Sequence, residues 1–320
     1  MKINIGILGS SSFIGQELVN QLVGNNYKIY LFSRKKVSKN LNNKNIIYVN
    51  GNFIEKDLSK FIKKIDILIN LIAETNDTTK MHKVNVSLLK KVISVSKKKI
   101  LKIIHISSVS VYGNNNSKIL NETSACFPST KYGITKYEGE SLLIDASKKD
   151  YFKSIIIRPS NILGKNMKNQ SILQMIASIN DNKFFYFENQ NSIMNYIYVK
   201  DLCRIIIKLI KYNQLKKYEI FNFSNKIKLF EFVQIISKKL NKNKNFINLP
   251  YKLVLFISYF YYIFSKFPLK PSRVRALNVK VSYSNKKIEK IINIKKHSNI
   301  KKGILELVDK FNEKKNLFRS

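Results

Sequence analysis

Short runs of Ile, Val, Leu and Phe recur along the chain, separated by longer stretches whose apolar positions return at helical spacing. The runs Ile3–Leu8, Ile29–Phe32, Ile46–Val49, Ile65–Ile72, Ile100–Ile106, Ser154–Arg158 and Glu219–Phe223 read as strands. They are nearly continuous in apolar residues, the pattern of strands covered on both faces, and the helical stretches between them make the sheet parallel. The predicted fold class is α/β, a doubly wound parallel sheet of the Rossmann kind. After Gly164 the alternation loses its regularity, and after Ser224 helices and loops dominate. This divides the chain into a sheet domain over 1–163, to which 196–223 returns, and a smaller, mainly helical lobe over 164–195 and 224–320.

Composition narrows the function. The 320 residues are 44% hydrophobic and 12% aromatic, enough for a buried core, which excludes a disordered chain. Lys and Arg number 58 against 20 acids, a net charge of +38, yet only six of the 58 are arginine. Surfaces that fork onto phosphates or read bases favour arginine and concentrate it, whereas these lysines are scattered among Asn and Ile. The charge is read as a solvated surface, with no nucleic-acid partner. Cys126 and Cys203 lie far apart, without a Cys-x-x-Cys, and there are three histidines, so neither a disulfide framework nor a metal site is expected. A reducing, cytoplasmic location follows, and Met1–Gly9 reads as a strand and turn instead of a signal peptide.

Three features carry chemistry. The first is the turn Gly9-Ser10-Ser11-Ser12-Phe13-Ile14-Gly15 between strand Ile3–Leu8 and the amphipathic stretch Gln16–Val23. Glycines there let main-chain N–H groups and a helix N-terminus approach a pyrophosphate, although Ser12 stands at the middle glycine's place. The second is Arg34, at the end of the second strand. Dinucleotide folds place an acid there for the adenosine ribose, but no acid lies between Glu17 and Glu55; a cation suits a 2′-phosphate and leans the cofactor towards NADP(H). The third is Tyr132 with Lys136, one helical turn apart, with Ser108 just beyond strand Ile100–Ile106. A phenol is a poor base at neutral pH, and an ammonium beside it favours the phenolate.

These features, taken in order with Asn52, Asn70-Leu71-Ile72-Ala73, Asn85, Ser107-Ser108-Val109-Ser110-Val111-Tyr112-Gly113, Arg158-Pro159-Ser160-Asn161 and Tyr196–Leu202, resemble the extended short-chain dehydrogenase/reductase family. That family comprises nucleotide-sugar epimerases, dehydratases and reductases. The resemblance implies that Tyr132 is the acid/base, that Lys136 holds the nicotinamide ribose and that Ser108 hydrogen-bonds the reacting oxygen. It places Gly9, Ser11, Ser12, Phe13, Ile14, Gly15, Arg34, Asn52, Phe53, Leu71, Ala73, Ser107, Tyr132, Lys136 and Pro159 on an NAD(P) cofactor. Ser108, Asn161, Asn195 and Arg275 then fall on a nucleotide-sugar substrate, and the family's habit implies a homodimer. Asp201 is expected to cap helix Leu202–Tyr212, and Cys203 to lie in that helix's core.

Departures matter too. The family's 4,6-dehydratases carry Asp-Glu directly after the catalytic Ser/Thr; Val109 and Ser110 stand there, which disfavours dehydration and leaves epimerase or 4-keto-sugar reductase, in surface-polysaccharide synthesis. A hydroxysteroid- or flavonol-type dehydrogenase, or a non-catalytic dinucleotide-binding regulator, stays open. Residues 251–267, between Pro250 and Pro268, are short for a ~30 Å hydrocarbon layer. They read either as a helix packed on the substrate lobe or as one resting peripherally on an anionic membrane.

Overall fold

The computed structural model describes residues 2–33, 43–51, 57–167, 170–187, 192–242, 246–263, 271, 274, 280–292 and 299–317. In chain order the strands are β1 (Ile3–Leu8), β2 (Tyr27–Ser33), β3 (Ile46–Asn50), β4 (Ile67–Asn70), β5 (Lys102–Ile106), β6 (Ile119–Leu120), β7 (Lys153–Pro159), β8 (Asn161–Leu163), β9 (Tyr186–Phe187), β10 (Ile193–Tyr198), β11 (Tyr218–Phe223), β12 (Asn225–Lys228), β13 (Asn248–Leu249) and β14 (Ser282–Tyr283). The helices are α1 (Phe13–Leu22), α2 (Ser59–Ile62), α3 (Leu88–Ser96), α4 (Lys131–Lys148), α5 (Gln170–Asn180), α6 (Val199–Ile210), α7 (Leu229–Lys239) and α8 (Tyr251–Ile263), followed by Lys286–Ile292 and Ile300–Leu317.

Seven strands form one parallel sheet in the order β11-β7-β5-β4-β1-β2-β3. They correspond to the seven apolar runs read from the sequence. Period 2 explains why those runs are apolar throughout. Ile5, Ile7, Ile67, Ile69, Ile104, Ile106, Ile155 and Ile157 turn to one face, where α1 and α6 bring Leu18, Leu22, Leu202 and Ile206. Leu8, Leu68, Ile103 and Ile156 turn to the other, where α3 and α4 bring Leu89, Val92, Leu143 and Ala146. Strand order reverses between β1 and β4, so a crevice opens beyond their carboxyl ends, the place where such sheets bind ligands.

A second core joins Leu163, Ile172, Ile176, Met194, Phe232, Ile236, Ile304 and Leu307. Beside it β8, β10 and β12 form a three-stranded sheet that the sequence reading does not anticipate. Helix Lys286–Ile292 lies within 224–320, yet its Ile288 packs into the first core. Asp201 does not cap α6, which begins two residues earlier. Its carboxylate binds Arg204 at 2.8 Å and takes the Asn299 main-chain N–H at 3.2 Å and side-chain amide at 3.0 Å, tying α6 to the start of Ile300–Leu317. Cys203 is fully buried.

Candidate active site

The first wall of the crevice is the turn between β1 and α1. Gly9 has φ of +82°, a left-handed conformation costly for any residue with a Cβ. A Cβ on Gly15 would stand 2.3 Å from the Gly9 carbonyl oxygen, so glycine is what allows the turn to fold against the helix start. Ser12 is extended, with φ of −72°, and needs no glycine; its hydroxyl accepts the Gly15 N–H at 3.1 Å and caps α1. The Phe13 and Ile14 amides, first in the helix, have no intrahelical acceptor and form the positive end of the helix dipole. Replacing Gly15 with Ala forces the turn open, and dinucleotide affinity measured by titration is expected to fall about tenfold or more.

Leu71 and Ala73 follow β4 on the opposite side of the crevice. The Leu71 N–H donates to the Leu8 carbonyl at 3.0 Å, and Ala73 is exposed. Ser107, after β5, is 2% exposed, and its hydroxyl has no hydrogen-bond partner among the described residues. Ser160, next to the buried Pro159, is 5% exposed with the same orphaned hydroxyl. Buried hydroxyls are normally satisfied, so both await an acceptor or donor from a ligand. A glycine cradle, a helix N-terminus and orphaned hydroxyls at the strand ends fit a dinucleotide. Arg34, Asn52, Phe53 and Arg275 lie outside the described residues.

Ser108, Tyr132 and Lys136 converge beyond β5. Ser108 caps the turn Val109–Tyr112, accepting the Ser110 N–H at 3.1 Å and donating to the Ser110 hydroxyl at 3.0 Å, and its hydroxyl lies beside the half-buried Tyr132 phenol. Gly133 permits the approach: a Cβ there would meet the Ser110 carbonyl oxygen at 2.6 Å, so any side chain would push α4 away from that turn. Asn85 anchors the same helix, accepting the Glu74 N–H at 2.8 Å and donating to the Thr135 hydroxyl at 3.0 Å, while Thr135 bonds the Tyr132 carbonyl at 3.0 Å. Burial pushes the Tyr132 phenol up to about 12, with the Ser108 hydroxyl pulling it down. Lys136 does not lower it here, because its ammonium is turned elsewhere.

That ammonium donates to the Ile106 carbonyl at 2.5 Å and lies 3.3 Å from His105 Nε2. His105 is a residue the sequence reading missed. Asn70 Oδ1 accepts the Ile72 N–H at 3.1 Å, which turns its Nδ2 towards His105 Nδ1, also at 3.1 Å. Nδ1 must therefore accept, and the ring proton belongs on Nε2, facing Lys136. Burial and the Lys136 charge hold His105 well below the usual histidine range, so the ring is neutral. Burial, opposed by Glu140, holds Lys136 down to about 8, and the Nε2–H aimed at it disfavours the ammonium further. Affinity for a dinucleotide, whose ribose and phosphates prefer the charged amine, is expected to decline as pH rises through about 8, and Lys136→Met is expected to flatten that dependence in a binding titration.

One turn further along α4, Glu140 is 1% exposed and pairs with Arg158, 3% exposed, through contacts of 2.6, 3.0 and 3.2 Å. Arg158 also donates to the Tyr112 hydroxyl at 3.0 Å, which lies 2.7 Å from Asn222 Oδ1. This network holds α4, β7, β11 and the turn after Ser108 in one arrangement. The exposed Asn161 donates its amide to the Asn195 carbonyl at 3.4 Å, so the structure brings these two together on β8 and β10. The Asn195 side chain itself is engaged with the Val281 carbonyl at 2.8 Å. Among the described residues no group of His, Cys, Asp and Glu could hold a metal ion.

Parallel sheet, glycine turn and the Tyr-Lys helix together define a dinucleotide-dependent class, and the chain belongs to the NAD dependent epimerase/dehydratase family, whose model matches residues 5–224. Among curated relatives, it is 26% identical over 294 residues, 88% of this chain and 85% of the relative, to N-acetyl-alpha-D-glucosaminyl-diphospho-ditrans,octacis-undecaprenol 4-epimerase of Escherichia coli O157:H7. It is 27% identical over 228 residues, 61% of this chain and 52% of the relative, to dTDP-D-glucose 4,6-dehydratase of Dictyostelium discoideum. The structure superposes on UDP-glucuronic acid 4-epimerase of Bacillus cereus in complex with NAD with a TM-score of 0.77 at 18% identity, covering 97% of each chain.

Proposed function

We propose that this protein is an NAD(P)-dependent 4-epimerase of a sugar carried on a diphosphate. The observation that carries the reading is the convergence of Ser108, Tyr132 and Lys136 at the carboxyl end of β5, across the crevice from the glycine turn. The nicotinamide, when bound, supplies a reversible hydride acceptor. Tyr132 takes the proton of the sugar hydroxyl and returns it to the ketone oxygen, Ser108 hydrogen-bonds that oxygen, and Lys136 holds the ribose. Asn161 of β8, Asn195 of β10 and, by the family resemblance, Arg275 would hold the sugar and its diphosphate.

Epimerisation is favoured over dehydration because Val109 and Ser110 follow Ser108, and neither can expel water from a neighbouring carbon. Support for position 4 comes from the E. coli and B. cereus proteins, one of which is named for a polyprenol-linked and the other for a nucleotide-linked sugar. The lean towards NADP(H) rests on Arg34. The test is to purify the protein, identify released nucleotide by mass spectrometry, and follow UDP-sugars by NMR. Appearance of the 4-epimer without added cofactor supports the proposal; stoichiometric release of NAD keeps it and overturns the Arg34 reading. Turnover of a 4-keto sugar only with added NADPH would replace epimerase by reductase.

A further inference from the structure

Helix α8 is two-sided. Val254 and Ser258 are 2% and 0% exposed, and Val254 packs against Val274, Leu249 and Phe185. On the outward side Phe256 is 70% and Leu253 46% exposed, three positions apart and so on one face. Ile247, just before β13, is 73% exposed. Large apolar side chains presented this openly, in one stretch of a chain with abundant lysine, mark a surface built for contact.

Charge identifies the partner. From Phe232 to Ile288 the sequence holds no Asp or Glu, but ten lysines and the arginines Arg273 and Arg275. A second copy of the chain, docked patch on patch, would set this cationic segment against itself, which opposes a symmetric interface. Lys239 and Lys287 pair with Asp309 and Glu219 of neighbouring elements, but the acid-free segment keeps a large excess of cations in its sequence, and an aromatic and aliphatic helix face within such a segment matches the interface of a membrane with anionic headgroups. The helix has thirteen residues, and among the described residues no helix is long and apolar enough to cross a membrane, so α8 lies along the surface instead of spanning it. We infer that α8 docks the protein on an anionic lipid bilayer, with Phe256 and Leu253 entering the headgroup region. This goes beyond the proposed reaction and does not depend on it.

The test is cosedimentation of the full chain with vesicles of phosphatidylcholine alone and of phosphatidylcholine mixed with phosphatidylglycerol, at low and physiological salt. Wild type is expected in the pellet with the anionic vesicles and in the supernatant with the neutral ones. L253E together with F256E is expected to cut the pelleted fraction about fivefold or more, at an unchanged melting temperature and unchanged activity on soluble substrate. Wild type left in the supernatant with both vesicles would overturn the inference. So would a double variant that pellets like wild type, since attraction would then come from diffuse charge, and so would a dimer in light scattering that the double variant dissolves.

Discussion

Tyr132→Phe is expected to lower turnover by about a hundredfold to ten-thousandfold while leaving bound dinucleotide and melting temperature close to wild type. The change removes one oxygen. Tyr132 is held by its helix, through the Thr130 cap, the Asn85–Thr135 contact and the packing of Gly133 on the Ser110 carbonyl, so the ring should stay where it is. What disappears is the group that accepts and returns the proton. Because burial pushes the phenol up to about 12 in the chain alone, it is protonated at neutral pH, and the direction of reaction that begins with phenolate should accelerate from mildly acidic to neutral pH. A variant with unchanged turnover would move the acid/base role away from Tyr132 and with it the proposed reaction. A variant that also loses its dinucleotide would show that the phenol anchors the cofactor.

Glu140→Ala should be the most destabilising single change in the site's neighbourhood, at about 3–5 kcal/mol. Arg158 would keep its charge with 3% exposure and no carboxylate beside it, left with the Tyr112 hydroxyl and the Cys126 thiol. Domains are stable by about 5–15 kcal/mol, so a loss of this size takes a large share of the total and shows as a lowered urea midpoint at constant slope. Replacing Glu140 and Arg158 together by Leu and Met should recover much of the loss, because no uncompensated charge then remains inside. Recovery of stability without recovery of activity would mean that the ion pair orients α4 for Tyr132 and Lys136 beyond what packing achieves.

The sheet was readable from sequence because each central strand is apolar on both faces; Ile103 and Ile104, or Leu68 and Ile69, serve opposite faces of the sheet, and the shortness and β-branched content of such runs mark them as strands. Tyr132 and Lys136 were readable because helical spacing puts them one turn apart. His105 was not, although it sits two residues before Ser107. Its meaning depends on Asn70 of β4 and Lys136 of α4, which only the parallel sheet brings to it. The same holds for Glu140 and Arg158, which sit on a helix and a strand. The short β8, β10 and β12 left too little periodicity to be read, and Asp201 looked like a cap until the distant Asn299 claimed its carboxylate.

The order in which the ribosome delivers this chain matters for one feature of the sheet. Its edge strand β11 and covering helix α6 come after the excursion through residues 164–195, so Ile5, Ile7, Leu18 and Ile155 wait for Leu202, Ile206, Leu209 and Phe221 to emerge. During that interval the nascent domain carries an open β7 edge and an uncovered apolar face, both adhesive to other chains. A gene fragment ending near residue 163 would freeze the protein at that moment, as a domain that holds the glycine turn and the Tyr-Lys helix yet lacks the cover that keeps it from aggregating.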